Sequence, residues 1–420
     1  MGTLMKIDNN AIFFPAISIA THTQIMKNDW KINGKSPRFY LNTLSPKEQL
    51  FKHPYILTSA GHNYKNIEFM NQLGINELHK DVDMIFGDSG GYQIGTGELK
   101  CDDDTLEKLY SWMEQNSTVA PIIDVPPWSF SGGSPKLTKT HMDTAIKQTK
   151  ENVSFLDKRN FRSDFDWLNV IHGHDFDQRT YWYNNIKDLD IYNGWALGSL
   201  RKNMYVVLNA FAVLLDNGEL ESEKCKLIHF FGLTSTRFMP ILIYLKHKMN
   251  KMGYKINLSF DSSYATQNGG WGKYLLFPSS TGFMSYHLSN RLINKFDDVP
   301  LPCSCPVCKG FNLKDILNEE ALTSAGNSLF YNVVQSHNVY MLVEYVKMLH
   351  SLLYTDCTEL LETCFKAEQM KIFKVIDKMF NAKKGQAHVV IERNIGLLGN
   401  PHKSEQETEN IEDIFGGLDD

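Results

Sequence analysis

Three cysteines stand within six residues, Cys303, Cys305 and Cys308 in CSCPVC, a C-x-C-x₂-C array. Three thiolates this close can share one tetrahedral Zn²⁺, with a fourth ligand supplied from elsewhere in the chain. The stretch FYNVVQSHNVYMLVEYVKML (330–349) has helical apolar spacing and offers His337, while His287 and His350 compete on spacing alone. Three sulfurs and one nitrogen leave no open coordination position. The expected Zn²⁺ is therefore structural rather than catalytic.

A second group of chemically capable residues lies at the ends of short apolar runs. MIFGDSGGYQ carries Asp88, Ser89, Gly90, Gly91, Tyr92 and Gln93. Paired glycines at a strand end let a planar ligand approach backbone N–H groups, Tyr92 could stack on it and Gln93 could hydrogen-bond it. The same hexapeptide would also serve as a plain tight turn. INLSFDSSY places Asp261 at the end of another apolar run. Cleaving a glycosidic bond takes a carboxylate on one side of the anomeric carbon and a proton donor for the leaving group, and Asp88 with Asp261 could form that pair. Asp124 (APIIDVPP), His172 (LNVIHGHD) and Ser199 (GWALGSL) occupy corresponding places.

These residues share a setting. Apolar runs at 55–62, 84–91, 120–127, 168–175, 194–200, 226–233 and 256–263 alternate with helical periodicities such as 106–115 and 238–249, and 273–286 offers an eighth run. Continuous apolar strands alternating with helices imply a parallel sheet. Eight units predict an α/β fold, a (β/α)₈ TIM barrel, with a zinc-binding insertion near its C-terminal end; a doubly wound sheet is the runner-up, without a GxGxxG after the first strand. In a barrel all five polar positions converge on the C-terminal rim, where active sites sit.

The 420 residues are 42% hydrophobic and 22% charged, enough to bury a large core. No apolar run approaches a membrane span, and MGTLMKIDNN lacks the layout of a signal peptide. Seven cysteines in so long a chain do not suggest a disulfide framework, so a cytoplasmic location is expected. Net charge is −5, but residues 404–420 hold seven acids and no Lys or Arg, leaving +2 on residues 1–403. That balance excludes a uniformly basic coat protein and is compatible with a local basic face. The acidic tail is expected to be disordered.

Taken together, DSGGYQ, the IIDVPP strand, the GWALGS turn, FDSSY and C-x-C-x₂-C followed by a helical His-Asn resemble the queuine/archaeosine tRNA-guanine transglycosylase superfamily, in order from about residue 50 to 350. The resemblance implies a (β/α)₈ barrel with a zinc-bearing insertion. It further implies Asp261 as nucleophile, Asp88 as acid/base and Asp124 as the carboxylate that recognises a guanine-like edge. Ser89 belongs to the same DSGGYQ motif. Tyr92 and Phe231 would sandwich the base, Gly198 and Ser199 would form the turn that binds the heterocycle, and His337 becomes the fourth zinc ligand. His172 departs from the family's V-Q-G, Leu200 is followed by Arg201-Lys202-Asn203, and Tyr264-Ala265-Thr266-Gln267 replaces the bacterial P-T-R.

These departures resemble the DNA 7-deazaguanine transglycosylase branch of phages and bacterial DNA-modification islands. The expected partners are DNA, with tRNA as the alternative, and a free 7-deazaguanine base, with room for a helicase- or ATPase-like protein. A non-catalytic subunit of the same fold is the third reading, opposed by retention of Asp88 and Asp261. Arg201, Lys202, Lys246, Lys248 and Lys251 are candidate strand contacts. The expected organisation is an N-terminal cap (1–50), a barrel (51–290), the zinc-binding insertion and helix (291–350), a C-terminal helical part (351–403) and the acidic tail (404–420).

Overall fold

The computed structural model describes residues 6–16, 31–36, 47–65, 84–132, 134, 136–159, 165–189, 192–200, 203–233, 235–280, 282–288, 299–316 and 329–399. Arg201, Lys202 and the acidic tail lie outside the described residues.

Eight parallel strands form one sheet: β1 (Ile12–Pro15), β2 (Tyr55–Ser59), β3 (Met84–Asp88), β4 (Val119–Pro121), β5 (Asp166–Ile171), β6 (Tyr192–Leu197), β7 (Leu227–Phe230) and β8 (Asn257–Ser262). Their order is β1-β8-β7-β6-β5-β4-β3-β2, and a parallel bridge from Ala16 to Leu57 joins the two ends. This is the (β/α)₈ barrel that the alternation of runs and helices predicts.

Period-2 alternation divides each strand between two cores. Ile12, Phe14, Leu57, Phe86, Val119, Leu168, Val170, Ala196 and Leu227 pack together inside the barrel. Their neighbours Phe13, Ile85, Trp167, Ile171, Trp195, Ile228, Leu258 and Phe260 pack outward with the surrounding helices. Strands buried on both faces read as continuous apolar runs for this reason. The parity matters at the rim. Asp88, His172, Gly198, Phe231 and Asp261 continue the inward-facing series of β3, β5, β6, β7 and β8.

The helices follow their local chemistry. Asp102 caps Asp103–Asn116 by accepting the N–H of Thr105, and Asn203 caps Met204–Asp216 by accepting that of Val206. The sequence's helical stretch at 238–249 is observed as Met239–Lys251, and that at 330–349 as Leu329–Leu353.

The eighth strand corrects the sequence reading. Residues 273–286 do not enter the barrel; Lys273–Ser279 (β9) and Gly282–His287 (β10) pair antiparallel as a separate ribbon. The polar Ser279-Ser280 step and Gly282 turn the chain back on itself, and a parallel barrel strand cannot make that return. The missing strand is β1, four residues long, drawn from the segment expected to be a cap. It pairs with β8 from Ile12–Ser259 to Pro15–Ser262.

Two histidines, His53 buried and His350 half-buried, fasten β1. His53 Nε2 lies 2.9 Å from the Phe13 carbonyl, and His350 Nε2 accepts the Ala11 N–H at 3.0 Å while its Nδ1–H donates to Val346 O. Burial pushes both imidazoles down to about 4 from 6.5. Folding thus holds each ring neutral, so their contribution is complete above pH 6.5 and is lost as pH falls towards 4. Unfolding free energies from urea titration are expected to drop across that window, by up to about 3 kcal/mol per ring. A His53→Gln variant that kept the full pH dependence would remove His53 from this account.

Candidate active site and metal centre

At the C-terminal rim Asp124, His172 and Ser199 form a connected chain. His172 Nε2 is 2.6 Å from Asp124 Oδ2, and His172 Nδ1 is 2.9 Å from Ser199 Oγ. The imidazole is packed edge-on against Trp182, 4.9 Å between centroids at 79°. The indole N–H of Trp182 is in turn tied to Val170 O. Gly198 is required here: a Cβ would come within 2.6 Å of His172 Cε1. At Gly91, by contrast, a Cβ would make ordinary contact with the Asp124 oxygens, at 3.5 and 3.6 Å.

The turn after β6 is held from below. The buried guanidinium of Arg179 donates to the carbonyls of Gly198 and Ser199 at 3.2 and 3.3 Å, and burial pushes it down to about 9. Ser199 is in the left-handed region at φ 53°, uncommon for a residue with a side chain. This conformation turns its hydroxyl to His172.

Asp261 lies opposite on β8, largely buried, and its Oδ1 accepts the N–H of Gly232 at 2.8 Å. Below it the fully buried His229 approaches Asp261 Oδ1 with Nε2 at 3.4 Å and meets Ser259 Oγ with Nδ1 at 2.9 Å. Phe86 stacks on His229 at 3.9 Å, and Phe231 meets it edge-on at 4.7 Å. Burial pulls the His229 imidazole down, against the pull of Asp261 in the other direction.

Asp88 ends β3 half-buried. Burial raises its carboxyl to about 6, the Ser59 hydroxyl and Gly90 N–H oppose that rise, and the charges of Asp261 and Asp124 add to it. The rim therefore holds three carboxyl groups, and Asp88, which feels the charges of the other two, is protonatable near neutral pH. The raised value predicts a stability signature. Ionised Asp88 costs the folded state once pH rises through about 6, and below 3.8 the cost is absent. Asp88→Asn is expected to raise stability at pH 7.5 by on the order of 1–3 kcal/mol and to leave it unchanged near pH 3.5. Equal melting shifts at both pH values would show that Asp88 does not carry that cost.

Other residues singled out in the sequence fall differently. Ser89 is buried at 1% exposure, on the opposite parity from Asp88. Tyr92 is 67% exposed, and its ring neighbour is Trp128 at 6.0 Å; among the described residues no ring contact joins it to Phe231. Gln93 meets His62, Nε2 to Nε2 at 2.9 Å. Lys246 is a correction: it is fully buried and donates to Ile256 O at 2.8 Å, so it cannot reach a polymer. Lys248 and Lys251 are engaged by Asp377 and Asp356 at 2.7 and 2.5 Å. Sequence reasoning missed His229 and Arg179. The signal for His229 was present, a single polar residue in KLIHFFGL two positions before Phe231 and on the same inward face.

The cysteine array forms a second centre. Cys303, Cys305, Cys308 and His337 bring their ligand atoms within 4.8 Å of one another. His337 Nδ1 lies 3.3 Å from Cys305 Sγ and 3.2 Å from Cys308 Sγ, near the N···S edge of about 3.5 Å that metal bonds of about 2.0 and 2.3 Å give in a tetrahedral site. Its Nε2–H donates to Leu275 O at 2.7 Å, which fixes the tautomer with Nδ1 as the ligating atom. Tyr274 stacks on the ring at 3.8 Å and reaches Cys308 Sγ with its hydroxyl at 2.8 Å. The competing histidines are excluded: His350 is committed to Ala11 and Val346, and His287 is exposed on the ribbon. The donor set fits a closed metal site.

This centre has its own small core, in which Ile32, Leu50, Leu276, Leu301, Val307, Phe330 and Val333 pack around the cysteines. Asn338, the next residue, accepts the Leu275 N–H and donates to Lys273 O and Ala265 O. One helix turn thus ties the metal ligands, the ribbon and the segment after β8 together. Among the described residues no helix is long and apolar enough to cross a membrane.

Comparison with known protein families and with characterised proteins finds no match to this chain.

Proposed function

We propose that the rim exchanges guanine in a polynucleotide for a 7-deazaguanine base, through an ester between Asp261 and C1′ of the nucleoside. The observation that carries the proposal is the carboxyl set: Asp88 raised to about 6 beside Asp261, with Asp124 alongside. Two carboxyl groups in different environments are what double displacement at an anomeric carbon needs.

In the first step Asp261 Oδ2 attacks C1′ as the C1′–N9 bond breaks. The Gly232 N–H on Oδ1 orients the carboxylate for this attack. Protonated Asp88 gives its proton to the departing guanine, and the resulting carboxylate takes one from the incoming base. That base then attacks C1′ and releases Asp261. The sugar-phosphate chain is never cut, and no nucleotide cofactor is consumed. Asp124 accepts N–H groups from the Watson–Crick edge, which guanine and 7-deazaguanines share. Phe231 offers a ring face to the heterocycle, and Tyr92 covers its other face in the bound complex.

A metal at Cys303, Cys305, Cys308 and His337, proposed to be Zn²⁺, supplies a structural cross-link. The protons are handled by the rim carboxyls alone.

DNA is the favoured polymer. The stretch after Leu200 and the run after Asp261 depart from what the bacterial tRNA enzymes carry there, and a DNA enzyme has no 2′-OH to grip. A duplex target must present its base flipped or melted, since stacking blocks C1′. Nucleoside analysis of DNA and tRNA from a host making 7-deazaguanines, with and without this gene, tests the assignment. Modified DNA is expected. Modification in tRNA alone would move the substrate to tRNA, and modification in neither would reject base exchange.

A further inference from the structure

We infer that His229 is a positioning residue for Asp261: from beneath the rim it holds Oδ1 together with the Gly232 N–H, so that Oδ2 is the oxygen turned to C1′. The inference deepens the base-exchange reading and rests on it.

The placement follows from register. His229 pairs with Ser259 between β7 and β8 and shares the inner face with Phe231 and Asp261, each two residues further along its strand. Around it the barrel interior is apolar, with Phe14, Phe86, Val170 and Leu227. Such layers are normally filled by branched apolar side chains. A fully buried imidazole there costs free energy unless its nitrogens are used.

One nitrogen is used between the two strands: Nδ1 lies 2.9 Å from Ser259 Oγ. The other has no hydrogen bond of its own and faces Asp261 Oδ1 at 3.4 Å. Aromatic contacts fix the ring in this pose. Phe86 stacks on it at 3.9 Å and 24°, Phe231 meets it edge-on at 4.7 Å and 81°, and Phe14 does so at 6.0 Å and 61°. A histidine needed only for packing would be satisfied by Ser259 and would leave Nε2 buried and idle.

Burial pulls this imidazole below its ordinary range, so at neutral pH the ring carries one proton. A hydroxyl either donates or accepts, whereas a carboxylate only accepts. The arrangement that satisfies all three groups puts the proton on Nε2, with Ser259 donating to Nδ1. Oδ1 is then gripped twice from the β7 side, by His229 and by the Gly232 N–H at 2.8 Å. Oδ2 keeps its lone pairs for the anomeric carbon. The same two donors meet the charge that returns when the incoming base displaces Asp261. The His229 contact is expected to shorten once substrate seats the carboxylate.

The test pairs two amides in the full-length protein. The amide of His229→Gln takes the place of Nε2 and reaches Asp261, whereas that of His229→Asn takes the place of Nδ1 and reaches only Ser259. A purely structural histidine would be replaced better by Asn, which keeps the bond to β8. Positioning predicts the reverse. In His229→Asn, kcat for base exchange is expected to fall about tenfold or more with KM for the incoming base within about twofold of wild type; in His229→Gln, kcat recovers to within about threefold. His229→Leu replaces the Asn variant if that form fails to fold, with the same loss expected. A second readout needs no substrate. In ring-nitrogen NMR of labelled histidine, the His229 signals, identified by their loss in His229→Gln, are expected to show the proton on Nε2 and to shift in Asp261→Asn. A ring proton on Nδ1 overturns the inference. Exchange that proceeds with equal kcat in the folded variants sinks this inference alone, whereas a wild type that forms neither product nor adduct sinks the reading beneath it as well.

Discussion

Asp261→Asn is expected to abolish base exchange, lowering the rate by more than about 10⁴-fold, while the fold survives. The amide keeps the size of the side chain and can still accept the Gly232 N–H through its carbonyl oxygen. It lacks the negative charge that attacks C1′. Wild type incubated with target polymer and no incoming base should give an adduct that survives denaturation, and the variant should give none. Asp88→Asn separates the proposed roles: it removes the proposed proton carrier and leaves the proposed nucleophile, so exchange is expected to fall although Asp261 is intact. An adduct that persists in Asp261→Asn would move the nucleophile to another carboxylate, with Asp88 the first candidate.

Removal of the metal is the second large effect expected. The insertion's core is small, and three of its buried members are metal ligands or stack on one: Cys305, Cys308 and Tyr274. Stripped of a cation, the thiols and imidazole crowd one another with nothing at their centre, and the binding free energy of a structural site becomes lost folding free energy. Chelation is expected to lower the melting temperature by roughly 5–10 °C and metal analysis of untreated protein to give about one zinc per chain. His337→Ala should lose the metal and also the Leu275 carbonyl hydrogen bond, leaving Asn338 to tie the ribbon to Leu329–Leu353. Full metal occupancy with unchanged melting after His337→Ala would reject His337 as a ligand.

The two centres were legible in the sequence to different degrees. The cysteine array needed only spacing, since three thiols within six residues have few other ways to sit. Its fourth member did not follow from spacing, with three histidines in contention. The rim aspartates were legible as types at strand ends, where a parallel barrel must collect them. Lys246 was misjudged because a lysine on a helix usually faces solvent, whereas this one crosses the core to a backbone carbonyl.

What the sequence determined by itself is the repeating unit: apolar runs buried on both faces, helices between them, and the residue types at each run's end. These follow from local periodicity and need no partner to be recognised. Strand membership and pairing were decided only by the tertiary structure. Ile12–Pro15 is too short to announce itself, and it belongs to the barrel because β8 offers an edge and Ala16 reaches Leu57 to close the ring. The ribbon at 273–287 has stronger strand character than β1 and is excluded because the ring is already complete. The chain from Asp124 through His172 to Ser199 is likewise tertiary. It joins residues 48 and 27 positions apart, and its geometry comes from the packing of Trp182, Gly198 and Arg179, none of which carries a signal of that role in its own stretch of sequence.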